Sequence, residues 1–207
     1  MKQENNENGD IRAIRDMMER SSRFLSLSGL SGVFAGLYAI AGALVAWHFV
    51  LDGGFEISGE YPGGGSNPGS RLLLMVDASA VLVAAIVTAL WLSARKASRE
   101  GHKIWSPVTV RLLSDLSVPL FAGGIFSLVF LFTGDAVFIA PAMLVFYGIA
   151  LVNVSRYTFG EVRYLGLSEI LTGLVALFFP GHGLIFWIAG FGLLHIAYGI
   201  ILQRKYH

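Results

Sequence analysis

The sequence predicts an all-α polytopic membrane protein: six transmembrane helices arranged as three tandem helical hairpins, with both termini cytoplasmic. Three observations predict it. Of the 207 residues, 55% are hydrophobic and only 14% are charged, where a soluble domain holds roughly 45–50% and about 25%; most of this chain has no water to face. Six segments reach the length of about 20 mainly apolar residues that crosses a bilayer: roughly 26–50, 71–94, 108–132, 136–153, 162–179 and 183–203. Finally, fourteen of the fifteen Lys and Arg residues fall on one side of that topology.

Residues 1–25 form a cytoplasmic tail. Positions 1–9 are polar and predicted to be disordered. Over 10–23, Ile11, Ile14, Met17 and Met18 recur at helical spacing opposite Arg12, Asp16 and Glu19, behind a capping Asp10. This is either an interfacial helix on the cytoplasmic leaflet or an extension of the first span. No apolar run precedes residue 25, so a cleavable signal peptide is not expected and the first span reads as an uncleaved signal-anchor.

The transmembrane domain covers 26–203. In its first helix Ser28, Gly32 and Gly36 recur every four residues, a spacing of small side chains that admits a second helix closely. That helix belongs to the same chain or to a second copy, which would make a homo-oligomer. The loop 51–70 carries seven Gly and two Pro and is expected to be a flexible external connection. Its Asp52, Glu56 and Glu60 have no fixed geometry for a cation. Helices three and four are joined by Thr133-Gly134-Asp135, and helices five and six by Pro180-Gly181-His182-Gly183, both sets of helix breakers. Residues 204–207 form the cytoplasmic tail.

Cations orient this arrangement because they resist translocation. Lys2, Arg12, Arg15, Arg20 and Arg23 precede helix one. Arg95, Lys96, Arg99 and Lys103 follow helix two, with Arg111 just inside helix three. Arg156 and Arg163 follow helix four, and Arg204 and Lys205 close the chain. The opposite loops hold Asp52, Glu56, Glu60, Asp135 and only Arg71. A multi-pass location in the cytoplasmic (inner) membrane follows, with Trp47, Trp91, Trp105, Tyr157, Tyr164 and Tyr206 as interface anchors.

The hairpins look repeated. Val33-Phe34-Ala35-Gly36-Leu37, Leu120-Phe121-Ala122-Gly123-Gly124 and Ile170-Leu171-Thr172-Gly173-Leu174 each put a glycine in mid-helix, and Tyr147-Gly148-Ile149 is matched by Tyr198-Gly199-Ile200. The third hairpin, residues 165–200, with Gly173, the Phe178-Phe179-Pro180 helix end, Gly192 and Tyr198-Gly199-Ile200, resembles the repeat of the HdeD-like acid-resistance membrane protein family. The resemblance covers about a sixth of the chain well. It implies three such hairpins without an assigned catalytic site. The second hairpin departs from it, with Gly134-Asp135 in place of a Pro turn and with Pro119 and Pro141 inside its helices.

Ionisable groups within spans are the first candidates for function. Glu169 and His195 each lie about 13 residues from the turn between helices five and six, so at about 1.5 Å per residue they share a depth of nearly 20 Å. A carboxylate beside an imidazole either relays a proton or pins the hairpin together as a hydrogen-bonded pair. Arg111 and Asp115, at i,i+4, are expected to form a structural ion pair near the cytoplasmic interface. Asp77 has no evident partner and either faces a water-filled cavity open to the outside or is protonated.

No cysteine is present, which excludes disulfides, thiolate metal sites and thiol catalysis. A net charge of +1 argues against nucleic-acid binding. His48 and His182 are read as interface and turn residues. His48 and His195 differ in depth by roughly 20 Å, so no haem bridges them, and no metal or cofactor is expected. The partners indicated are the bilayer itself and the second copy that the Ser28, Gly32 and Gly36 stripe would admit. The leading expectation is therefore a non-enzymatic inner-membrane protein of stress-response or accessory type. The alternative is a small proton-coupled transporter or permease using Asp77, Glu169 and His195. A membrane-embedded enzyme is third, since no nucleophile–base constellation favours it.

Overall fold

The structure is a computed structural model that describes residues 28–49, 68–99 and 105–206. Those residues are all helical, with no strand among them. The helices are α1 (Gly29–Phe49), α2 (Pro68–Arg99), α3 (Pro107–Thr133), α4 (Ile139–Val154, entered by a 3₁₀ turn at Ala136–Phe138), α5 (Glu161–Ala176) and α6 (Gly183–Tyr206). Five of the six are long and apolar enough to cross a membrane, which makes the chain a multi-pass membrane protein by helix length and composition. The expected helix at 10–23 and the loop 51–67 lie outside the described residues.

The exception is α5. Expected over 162–179, it holds 16 residues, about 24 Å at 1.5 Å per residue, short of a hydrocarbon core of about 30 Å. Tighter i→i+3 bonds take over from Leu177 to Phe179, before Pro180 and a left-handed Gly181 at φ 92° reverse the chain. Gly134 does the same after α3, at φ 93°. Only glycine takes this conformation without strain, so both expected turns form where the breakers stand. At the other end of α3, the Ser106 hydroxyl accepts from the Thr109 N–H at 3.2 Å and Pro107 fills the first position, a standard helix start.

Glycines set how the helices meet. On α6, a Cβ at Gly199 would lie 2.7 Å from the Gly29 carbonyl oxygen and 2.6 Å from the Val33 nitrogen of α1. A Cβ at Gly36 would lie 2.5 Å from the Gly192 carbonyl and close to Ile196. The same contact is built a second time between α4 and α5. A Cβ at Gly148 would lie 2.5 Å from the Gly166 carbonyl and 2.8 Å from the Ile170 nitrogen, and one at Gly173 would press on the Pro141 carbonyl and Val145. The pairs correspond residue for residue: Gly148 with Gly199, Val145 with Ile196, Pro141 with Gly192, and Gly166, Ile170 and Gly173 with Gly29, Val33 and Gly36. Backbones touch in both seams, and such close packing is what holds helices together where the hydrophobic effect is absent. The expected stripe on α1 is thus occupied by the same chain: Gly32 and Gly36 both face α6.

The remaining seam, between α2 and α3, is open. The two helices form no packed interface; α2 packs on α1, and α3 on α4. α3 keeps Gly123 in the place of Gly36 and Gly173, but that glycine faces Phe146 of α4, and the other glycines of the closed seams are missing. Gly69 is the only one in α2, and α3 has Leu116 and Leu120 where α5 has Gly166 and Ile170. At the end of the bundle opposite the Gly134 and Gly181 turns, Lys96 reaches across, its ammonium 5.8 Å from the Phe159 ring centre in the α4–α5 connection. Many of the apolar side chains along α2 are exposed, among them Leu72, Val76, Val83 and Val87.

Candidate functional site: a sealed polar cluster beside an open cavity

The structure brings Glu169 and His195 together. Both sit on facing sides of α5 and α6; Glu169 is fully buried and His195 is 5% exposed. His195 Nδ1 lies 3.1 Å from Glu169 Oε1 and 3.2 Å from the Gly190 carbonyl oxygen. Its one hydrogen cannot serve both acceptors. It aligns with the carbonyl, so the carboxylate is held at ion-pair distance and neither of its oxygens has a hydrogen bond. Nε2 is 2.8 Å from the Tyr147 hydroxyl of α4. With Nδ1 facing two acceptors, Nδ1 carries the hydrogen, and in neutral His195 Nε2 accepts from Tyr147.

Local backbone geometry makes room for this. Ile188–Leu194 is a π-helical segment within α6, and π-bulges tend to occur where a helix is bent to a functional purpose. The wider turn presents the Gly190 carbonyl to the His195 ring five residues on. Gly190 has no side chain because the carboxylate occupies that place: a Cβ would lie 2.5 Å from Glu169 Oε2. Tyr147 was read in the sequence only as part of a repeated Tyr-Gly-Ile triplet. Its counterpart Tyr198 has a buried hydroxyl with no hydrogen-bond partner, so the two tyrosines do different things. The position matching His195 on α4 is Leu144, fully buried.

Asp77 does not join that cluster. It lines a separate cavity of about 310 Å³ walled by α1, α2, α3, α4 and the start of α6. The walls are almost wholly apolar, with Leu74, Leu128, Leu131, Met143 and Trp187 prominent among them. Ser127 is satisfied, donating to the Gly123 carbonyl at 2.8 Å. The Asp77 carboxylate rests against Gly42, where a Cβ would lie 3.3 Å from Oδ2. It has no hydrogen bond or ion pair among the described residues. The cavity lies at the end of the bundle that carries the turns at Gly134 and Gly181, and it follows the open α2–α3 seam. Gly124 on α3 stands in its wall with nothing within 4 Å of where a Cβ would be.

An aromatic wall separates the two sites. Trp187 lines the cavity and packs on Phe191 at 4.5 Å between ring centres. Phe191 in turn lies 5.2 Å from Tyr147 and 6.1 Å from His195. The Trp187 indole N–H donates to the Ala39 carbonyl of α1 at 3.2 Å, which fixes the ring in place.

Asp115 takes its hydrogen bond from the Tyr157 hydroxyl, at 3.1 Å. The expected i,i+4 ion pair with Arg111 is not formed among the described residues; Arg111 is exposed. No group of three His, Asp or Glu side chains among the described residues is placed to hold a metal. No family model, curated protein or solved structure matches the chain.

Proposed function

We propose that the chain is a non-enzymatic protein of the cytoplasmic membrane, of stress-response or accessory type, with the HdeD-like resemblance of its third hairpin supporting the architecture. The six helices form three tandem hairpins around an incomplete ring, with both termini in the cytoplasm. The doubled glycine seam supports the repeat: the second helix of one hairpin meets the first helix of the next, in α4 with α5 and again in α6 with α1. The one-sided distribution of Lys and Arg supports the orientation. With no native cysteine, single cysteines placed in 51–70 and in 95–103 should label from opposite faces of the membrane. Labelling from one face overturns the topology.

The observation that carries the role is the sealing of the Glu169–His195–Tyr147 cluster. A proton path needs a group that water reaches on at least one side. Glu169 is fully buried, and Trp187 and Phe191 stand between the cluster and the cavity. The cluster therefore acts as a pin between α4, α5 and α6, and the open cavity is the part left to bind something. Glu169→Gln should lower the melting temperature of the purified protein and leave proton flux in proteoliposomes at the level of empty vesicles. Flux present in the wild type and lost in Glu169→Gln would instead establish the proton-coupled permease.

A further inference from the structure

We infer that the cavity in the α2–α3 seam is a binding site for a small lipophilic amine: an ammonium group on an apolar body, held by the Asp77 carboxylate and entering sideways from the bilayer. This rests on the accessory-binding reading above and names its ligand class. The volume of about 310 Å³ is at the small end of ligand pockets, which run about 300–1,000 Å³, and suits one flexible chain or a single ring. Its apolar lining excludes a polar solute and gives water few partners. Asp77 is the one ionisable residue in that lining. A carboxylate with no partner among the described residues, set in apolar walls, is costly in a membrane, and a cation that brings its own apolar body relieves the charge without leaving the cavity empty. An anion is repelled, and a neutral alcohol gains the walls but not the charge.

Entry follows from the fold. The α4–α5 and α6–α1 seams close because backbones meet at glycines; α2 lacks them, so the third seam stays apart at the level of Asp77 and Gly124. The ammonium then sits one helix away from the polar cluster, and Trp187 is the residue shared between cavity wall and aromatic partition.

The test uses full-length protein in nanodiscs of phosphatidylglycerol and tritiated heptylamine. Heptylamine should bind, with heptanol competing on the order of tenfold more weakly, as expected for a charge-assisted contact, and heptanoate not at all. Asp77→Asn should remove the preference of amine over alcohol while the alcohol still binds. Gly124→Leu should fill the cavity and abolish binding of both, with the melting temperature preserved because nothing lies near that position. Repeating the titration in phosphatidylethanolamine discs identifies the source. Displacement of heptylamine there assigns the amine to a lipid headgroup, unchanged binding to a free amine, and each supports the ammonium site. Equal binding of amine and alcohol in the wild type, or an amine preference that survives Asp77→Asn, overturns it. If Asp77→Asn fails to assemble, undiminished amine binding in Gly124→Leu overturns it alone. A proton flux dependent on Glu169 would instead refute the accessory reading, so the two failures are separable.

Discussion

The α6–α1 and α4–α5 seams are closed by backbone contact, and the α2–α3 seam is a gap. The α6–α1 and α4–α5 seams use the same residues in the same places, with Gly199 over Gly29 and Gly148 over Gly166. At the α2–α3 seam the equivalent of Gly166 is Leu116, and α2 has no glycine beyond Gly69. Two branched surfaces facing each other in lipid gain little by meeting, because lipid tails solvate leucine as well as another leucine does. The difference teaches that closure in this bundle is decided by a few missing side chains rather than by apolarity. The same glycine contact closes two seams, and the seam that lacks it stays apart.

The largest test of that contrast is Gly199→Ala. The new Cβ would meet main-chain atoms of α1 on two sides, which no rotamer change relieves, and overpacking of this kind costs about 1–3 kcal/mol. Chemical denaturation in detergent should place it near the upper end. Gly148→Ala should match it within error, because it is the same contact in the other seam. A large inequality between the two would break the equivalence of the seams.

Next in size is Gly190→Ala. The obstructions there are a Leu144 methyl and the Glu169 carboxylate rather than a backbone, so the loss should be smaller, on the order of 1–2 kcal/mol. It should also shrink when Glu169 is replaced by Ala in the same chain. A double-mutant cycle measures this coupling; strictly additive losses would show that Gly190 does not make room for the carboxylate. Gly124→Ala has the opposite sign. With open space around the position, the substitution should stabilise α3 by up to about 1 kcal/mol through helix propensity. A loss at Gly124 as large as at Gly199 would mean that the α2–α3 seam is closed in the folded protein.

How much of this was legible in the sequence follows from what each feature depends on. The helices and the turns at Gly134 and Gly181 are local, written in apolar length and in breakers, and they form within a few residues of their expected bounds. Glu169 and His195 were matched by depth, a count along two antiparallel helices, and they meet. Tyr147 came from a third helix, whose rotation no count along the chain supplies. The π-helical segment was invisible for a related reason: Gly190 and Gly192 permit it, but the carboxylate that calls for it is on α5. For Arg111 the spacing rule held only the two residues on one face, while Tyr157 offered Asp115 a partner from another helix. Ser28, Gly32 and Gly36 announced a close helix without naming it, and α6 is that helix. Asp77 showed as an ion without a partner, yet only the assembled helices show that it lines a cavity.

The smallest expected effect separates the seams from the ends of the bundle. Beyond the glycines, α6 is tied to α5 by Lys205, whose ammonium pairs with Glu161, and by the Tyr206 hydroxyl, which donates to the same carboxylate at 3.2 Å. Partial burial pushes the Glu161 carboxyl up, but the bonds from Lys205 and Tyr206 outweigh it and hold the group below its usual 4.5. A carboxyl lowered in the folded state adds stability above its unfolded value, and that contribution is lost as pH falls through the folded one. The decrement should therefore appear below about pH 4.5 and be absent at neutral pH. Lys205→Ala should lower stability at pH 7 less than Gly199→Ala, Gly148→Ala or Gly190→Ala, since the ammonium is in water. It should also flatten the acid limb of the wild-type pH profile. An acid limb unchanged by Lys205→Ala would move the acid sensitivity away from this latch, and Glu161→Gln would then decide whether the carboxyl contributes at all.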